Sequence, residues 1–141
     1  MTINQISVFV ENKSGALAQI TRELAAAGVN LRALSIAETR DFGVLRFIAD
    51  DEDKAASTLR EAGHILSLTP VIAVVIPDVP GSFSQAVEVL AAAGIDLEYT
   101  YAFLTPRTGT ACLIIRVSNP DEAMKILKDA GIELAEKEDL I

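Results

Sequence analysis

The chain has 141 residues, half of them apolar, and its 12 lysines and arginines against 20 aspartates and glutamates give a net charge of −8. That balance repels phosphate backbones and anionic lipid, which excludes nucleic acid and membrane surfaces as partners. One cysteine, Cys112, and one histidine, His64, are too few for a disulfide framework, a thiolate metal site or a Ser-His-Asp set; the expected setting is a reducing cytoplasm, with no metal, no cofactor and no catalysis.

Ile3 to Val10 alternates, with Ile6, Val8 and Val10 on one face, and predicts a half-buried strand. A polar loop from Glu11 to Gly15 follows. Leu17, Ile20, Leu24 and Ala27 then recur at three- and four-residue spacing, which predicts an amphipathic helix ended by Gly28. Val29 to Thr39 reads as a second strand, and the shift of its apolar positions from Val29 and Leu31 to Leu34 and Ile36 predicts a bulge. Arg40 to Gly43 turns it back into a third strand, Val44 to Ala49. Asp50 to Asp53 places carboxylates where they favour the start of a second helix, which runs through Ala55, Leu59 and Ala62 to Gly63. Ile65 to Leu68 is a short fourth strand, and Thr69-Pro70 the only linker.

The same order then returns. Leu90-Ala91-Ala92-Ala93-Gly94-Ile95-Asp96-Leu97 repeats Leu24-Ala25-Ala26-Ala27-Gly28-Val29-Asn30-Leu31 at an offset of 66, and the offset also pairs Ile6 with Ile72, Gly15 with Gly81 and Gln19 with Gln85. Beyond Asp51 it grows to 68, aligning Leu59 with Leu127. A tandem duplication explains this better than chance likeness between alanine-rich helices. The second copy should comprise a strand at Val71 to Ile76, a helix from Gly81 to Ala93, a strand from Ile95 to Leu104, a turn at Thr105 to Gly109, a strand from Ala111 to Val117, a helix from Pro120 to Ala130 and a last strand near Ile132 to Glu136. The expected class is α+β: two tandem ferredoxin-like βαββαβ sandwiches, residues 1–69 and 70–141, paired side by side at their second strands.

The first βα loops, Asn12-Lys13-Ser14-Gly15-Ala16-Leu17 and Asp78-Val79-Pro80-Gly81-Ser82-Phe83, share Asn/Asp, two residues, Gly, one residue and a bulky apolar group. With the Ala-Gly-Val/Ile-Asn/Asp-Leu joint, the chain resembles the ACT domain, twice. The resemblance implies a non-catalytic regulatory module that binds a small ligand, an amino acid, at the interface between its two domains, with a separate enzyme or regulator as target. It places the ligand against Asn12, Ser14, Gly15, Ala16, Leu17, Asn30 and Leu31, and against Asp78, Pro80, Gly81, Ser82, Phe83, Asp96 and Leu97.

Simpler roles compete at each position. Asn12 and Asp78 serve equally well as turn or cap residues, Asn30 and Asp96 as strand-entry residues, and Leu17 and Phe83 as core on their helices. Tyr99 and Tyr101 stand where the first copy has Ala33 and Ser35, and give the second copy polar-tipped aromatics for a pocket or an interface. His64 reads as a histidine without a partner. An acylphosphatase-like hydrolase would need an arginine in these loops, and a metallochaperone two cysteines; neither is present. Assembly of subunits without any ligand is the alternative function. A homodimer is expected on the open sheet face of the second copy, where Val71, Ala73 and Val75 are apolar opposite the core-facing Ile72, Val74 and Ile76.

Overall fold

A computed structural model describes residues 1–104 and 107–140. Its order is β1 (Ile3–Glu11), α1 (Ala16–Ala26), β2 (Leu31–Glu38), β3 (Phe42–Ala49), α2 (Glu52–Glu61), β4 (Leu66–Pro77), α3 (Ser82–Ala92), β5 (Leu97–Ala102), β6 (Thr110–Val117), α4 (Pro120–Asp129), β7 (Glu133–Ala135) and α5 (Lys137–Leu140). The chain divides into two compact units, Asn4–Thr69 and Pro70–Ile141 with Met1–Ile3. Each is a ferredoxin-like βαββαβ unit.

In the first unit β1 and β2 both lie antiparallel to β3, with Ile6 opposite Phe47, Val8 opposite Leu45 and Ile36 opposite Leu45 across the other ladder. The even-numbered side chains of β1 turn toward the helices, and Ile6, Val8, Ile20, Leu24, Phe47 and Leu59 form the core beneath α1 and α2. The second unit repeats this with β4, β6 and β5, closing on Ile72, Val74, Leu90, Ile115, Val117 and Leu127. The bulge expected in the second strand is present: the ladder register shifts between Leu31 and Ala33, and again between Leu97 and Tyr99 in the other copy. Asp51 caps α2 by accepting from the Lys54 backbone N–H at 3.0 Å. Asn119 caps α4, its Oδ1 accepting from the Glu122 N–H at 3.4 Å while its Nδ2 donates to Glu122 Oε2 at 3.0 Å. Among the described residues no helix is long and apolar enough to cross a membrane.

Several expectations are corrected. Thr69-Pro70 is not a linker: both residues lie inside β4, one twelve-residue strand that passes from the first unit into the second. The last strand is shorter than expected and is followed by the one-turn α5, which buries Leu140. Val71, Ala73 and Val75 are 0%, 0% and 8% exposed within the single chain, so the outer face of β4 is already covered and offers nothing to a second copy. Leu17 and Phe83 are not core residues; they remain 37% and 41% exposed. His64 has a partner, its Nε2 lying 2.7 Å from Glu23 Oε2. Thr105 and Pro106, in the expected turn, lie outside the described residues.

Candidate functional site

The two βα loops fold in the same way because the same backbone bonds close them. In the first, the Lys13 N–H donates to Glu11 O at 2.8 Å and the Ala16 N–H to Lys13 O at 3.3 Å; in the second, the Val79 N–H donates to Pro77 O at 2.9 Å and the Ser82 N–H to Val79 O at 3.3 Å. Gly15 and Gly81 then enter α1 and α3 with left-handed φ of 88° and 91°, a conformation that costs glycine little and any L side chain more. The N-cap positions are Gly15 and Gly81 themselves, which have no side chain to cap with. The first-turn N–H groups of both helices lack an i−4 carbonyl and carry partial positive charge.

The loops differ in their side chains. Asn12 Nδ2 donates to Arg40 O at 3.0 Å and so binds the loop to the β2–β3 turn. The Asp78 carboxylate makes no side-chain hydrogen bond among the described residues and lines a cleft of about 350 Å³ with Gly81, Phe83, Thr100 and Tyr101, walled by Ile76, Val79 and Leu113. The corresponding cleft of the first unit holds only about 130 Å³, between Asn12, Lys13, Leu17, Ile36 and Glu38. Beside it Lys13 Nζ and Glu11 Oε2 form an exposed pair at 2.8 Å; hydrogen bonding and charge from each partner lower the Glu11 pKa and raise that of Lys13.

A second cleft of about 310 Å³ lies on the other side of each loop. In the first unit it is lined by Ala16, Gln19, Phe9, Phe42 and His64. In the second it is lined by Ser82, Gln85, Thr110 and Ile132, and Ser82 is 8% exposed. Ser14 and Pro80 are exposed loop residues. Asn30, Leu31, Asp96 and Leu97 are not brought to the loops. They follow the far ends of eleven-residue helices, ~16 Å along the axis at 1.5 Å per residue, where the Asn30 N–H donates to Asp50 Oδ1 at 2.9 Å. The loop positions and the Gly-X-Asn/Asp-Leu positions are therefore two clusters within each unit.

Sequence reasoning missed Thr100 and the wall residues Ile76, Val79 and Leu113. The available signal was strand pairing: Thr100 lies opposite Ile115, and Ala102 opposite Leu113, on the face that carries Ile72, Val74 and Ile76. Tyr101, read as a residue for a pocket or an interface, lines the cleft and is 9% exposed. Cys112 is buried, and desolvation pushes its thiol up to about 11, which keeps it protonated and unreactive. Among the described residues no three His, Cys, Asp or Glu side chains are grouped to hold a metal ion.

Two ferredoxin-like units, each with a glycine-opened βα loop beside a sheet-edge cleft, define a tandem small-ligand regulatory architecture. The chain belongs to the ACT domain pair family, whose model matches residues 1–141, and it is a non-catalytic regulatory module. It is similar to protein BT0572 from Bacteroides thetaiotaomicron, with 38% identity, a TM-score of 0.93, and 99% of this chain and 96% of that one covered. The fold is shared with the ligand-free regulatory subunit of aspartate kinase from Thermus thermophilus, at 17% identity and a TM-score of 0.65, covering 90% and 91% of the two chains. It is shared too with the aspartate kinase of Clostridium acetobutylicum, at 11% identity and a TM-score of 0.52, covering 92% of this chain and 33% of that one. No curated protein matches the chain.

Proposed function

We propose that the chain binds an amino acid with an apolar side chain in the cleft beside Asp78. The observation that carries this reading is the 350 Å³ cleft with one carboxylate at its mouth, apolar walls and an uncapped helix start at Gly81. An ammonium group would pair with Asp78, a carboxylate would accept from the first-turn N–H groups of α3, and the side chain would lie against Ile76, Phe83 and Leu113. The cleft at Asn12 is smaller, and its Glu11 carboxylate is already paired with Lys13.

A thermal-shift screen of the twenty amino acids tests this, because a ligand bound only by the folded state must raise apparent stability, by about 2.7 kcal/mol at one hundred times its dissociation constant. Aliphatic or aromatic amino acids should raise the melting temperature of the parent and not of Asp78→Asn. No shift with any of the twenty would move the reading to ligand-independent assembly, which the exposed Leu34 and Ile36 favour.

A further inference from the structure

The 310 Å³ cleft of the first unit differs in chemistry from its counterpart in the second. Phe9 and Phe42 line it while 54% and 45% exposed, their ring centroids 5.9 Å apart and their planes tilted by 54°. Ile65, 71% exposed, adds to the same wall. Two neighbouring phenyl rings open to solvent leave faces and edges on which a third ring can pack. The repeat puts Val75 in the place of Phe9, Thr108 in that of Phe42, Val79 in that of Lys13 and Ile132 in that of His64. Among the described residues lining the second unit's cleft there is no aromatic side chain and no cation.

The charges of the first cleft are arranged to favour one sign of ligand. Gln19 Nε2 donates to Glu23 Oε1 at 3.1 Å, and Glu23 Oε2 lies 2.7 Å from His64 Nε2, so that α1 is tied to the turn before β4. Glu11 Oε2 meets Lys13 Nζ at 2.8 Å. Both nearby carboxylates thus have partners, whereas the Lys13 ammonium carries three N–H donors and gives one to Glu11. At 74% and 69% exposed, Glu11 and Lys13 form a pair of small worth that an incoming anion can share. An ammonium group placed there would meet the lysine, which disfavours amines and amino acids alike. The volume suits a ligand of a single ring, being at the lower end of small-molecule pockets.

We propose that this cleft binds a small aromatic carboxylate that lacks an amino group, its ring against Phe9, Phe42 and Ile65 and its carboxylate on Lys13. The site lies wholly within the first unit and does not rest on the reading of the cleft beside Asp78.

Calorimetric titration of the full chain with 3-phenylpropanoate tests it, since phenylalanine is the same molecule with an α-ammonium group added and 2-phenylethylamine is phenylalanine without its carboxylate. The parent and Asp78→Asn should bind 3-phenylpropanoate equally, with a dissociation constant of about 1 mM or tighter. Lys13→Gln should weaken binding by about tenfold, the loss of one charge-assisted contact, and Lys13→Arg should stay within about threefold of the parent. Phe42→Ser, at an exposed position, should weaken it by a similar factor. In Asp78→Asn, phenylalanine and 2-phenylethylamine should each bind more weakly than 3-phenylpropanoate by about tenfold or more. No heat from 3-phenylpropanoate, equal affinity in Lys13→Gln and the parent, loss of binding in Asp78→Asn, or an amine or phenylalanine bound as tightly by Asp78→Asn overturns the proposal.

Discussion

At its βα loop the first copy commits its polar side chain to its own turn, Asn12 donating to Arg40 O, whereas the second leaves the Asp78 carboxylate at a cleft more than twice as large, about 350 against 130 Å³. At the outer strand the order is reversed: the first copy presents Leu34 and Ile36, the second Thr100 and Ala102. The positions that hold the fold did not diverge in this way. Leu24 and Leu90 are both 1% exposed, Leu59 and Leu127 both 0%, and Gly15 and Gly81 differ by 3° in φ. Duplication has kept what each core needs and let the solvent-facing positions diverge.

The largest effects should fall on the shared scaffold and be equal in the two copies. Leu24→Ala and Leu90→Ala each remove a buried side chain under a helix, and each should cost about 2–5 kcal/mol in its own unit, measured by denaturant unfolding. A loss confined to one of them would break the symmetry of the two cores. Next in size, Asp78→Ala should weaken amino-acid binding by about 1.5–3 kcal/mol, the value of a charge-assisted contact, while Asn12→Ala leaves it unchanged.

Gly15→Ala and Gly81→Ala sharpen the comparison at the loops. A Cβ at either position meets nothing within 4 Å, so the cost is that of the left-handed backbone alone, about 1–2 kcal/mol in each copy. Crowding is absent from both, and a much larger loss in one copy alone would show that its loop carries a further constraint.

The smallest effect belongs to a pair that only the first copy has. Glu23 is drawn two ways: desolvation raises its pKa, and hydrogen bonds from Gln19 and His64 outweigh this and hold it below its ordinary value of 4.5. A carboxylate depressed in the folded state contributes stability above its unfolded pKa and loses it as pH falls through the folded one. Glu23→Gln should therefore be less stable than the parent at neutral pH, by under about 1 kcal/mol for so accessible a pair, and the difference should vanish on acidification below pH 4.5. Val89 and Ile132 occupy the corresponding positions in the second copy, so its acid response should not change.

The duplication, the order of elements, the bulge in β2 and both βα loops were legible in the residues because each rests on local chemistry: period, glycine and cap. What was not legible depends on neighbours distant in sequence. Pro70 cannot donate to a ladder and so reads as a break, yet it sits at the point where β4 passes from one unit to the other, and its carbonyl accepts from Arg116 Nη1 at 2.8 Å. Leu17 and Phe83 keep the helical spacing of core residues, but they stand on the first turn of their helices and line the clefts beside the loops, 37% and 41% exposed. His64 found Glu23 forty-one residues away. In the candidate site, loop composition pointed to Asp78, Gly81 and Phe83, while Thr100 and the apolar wall follow from strand register and could not be read from the loop.

Calorimetric titration of the parent and of Asp78→Ala with aliphatic and aromatic amino acids tests the central claim most directly. The expected result is binding of one ligand per chain, with affinity lowered about ten- to a hundredfold in the folded Asp78→Ala protein and unchanged in Asn12→Ala. Equal affinities in Asp78→Ala and the parent, or heat from no amino acid at all, would contradict it.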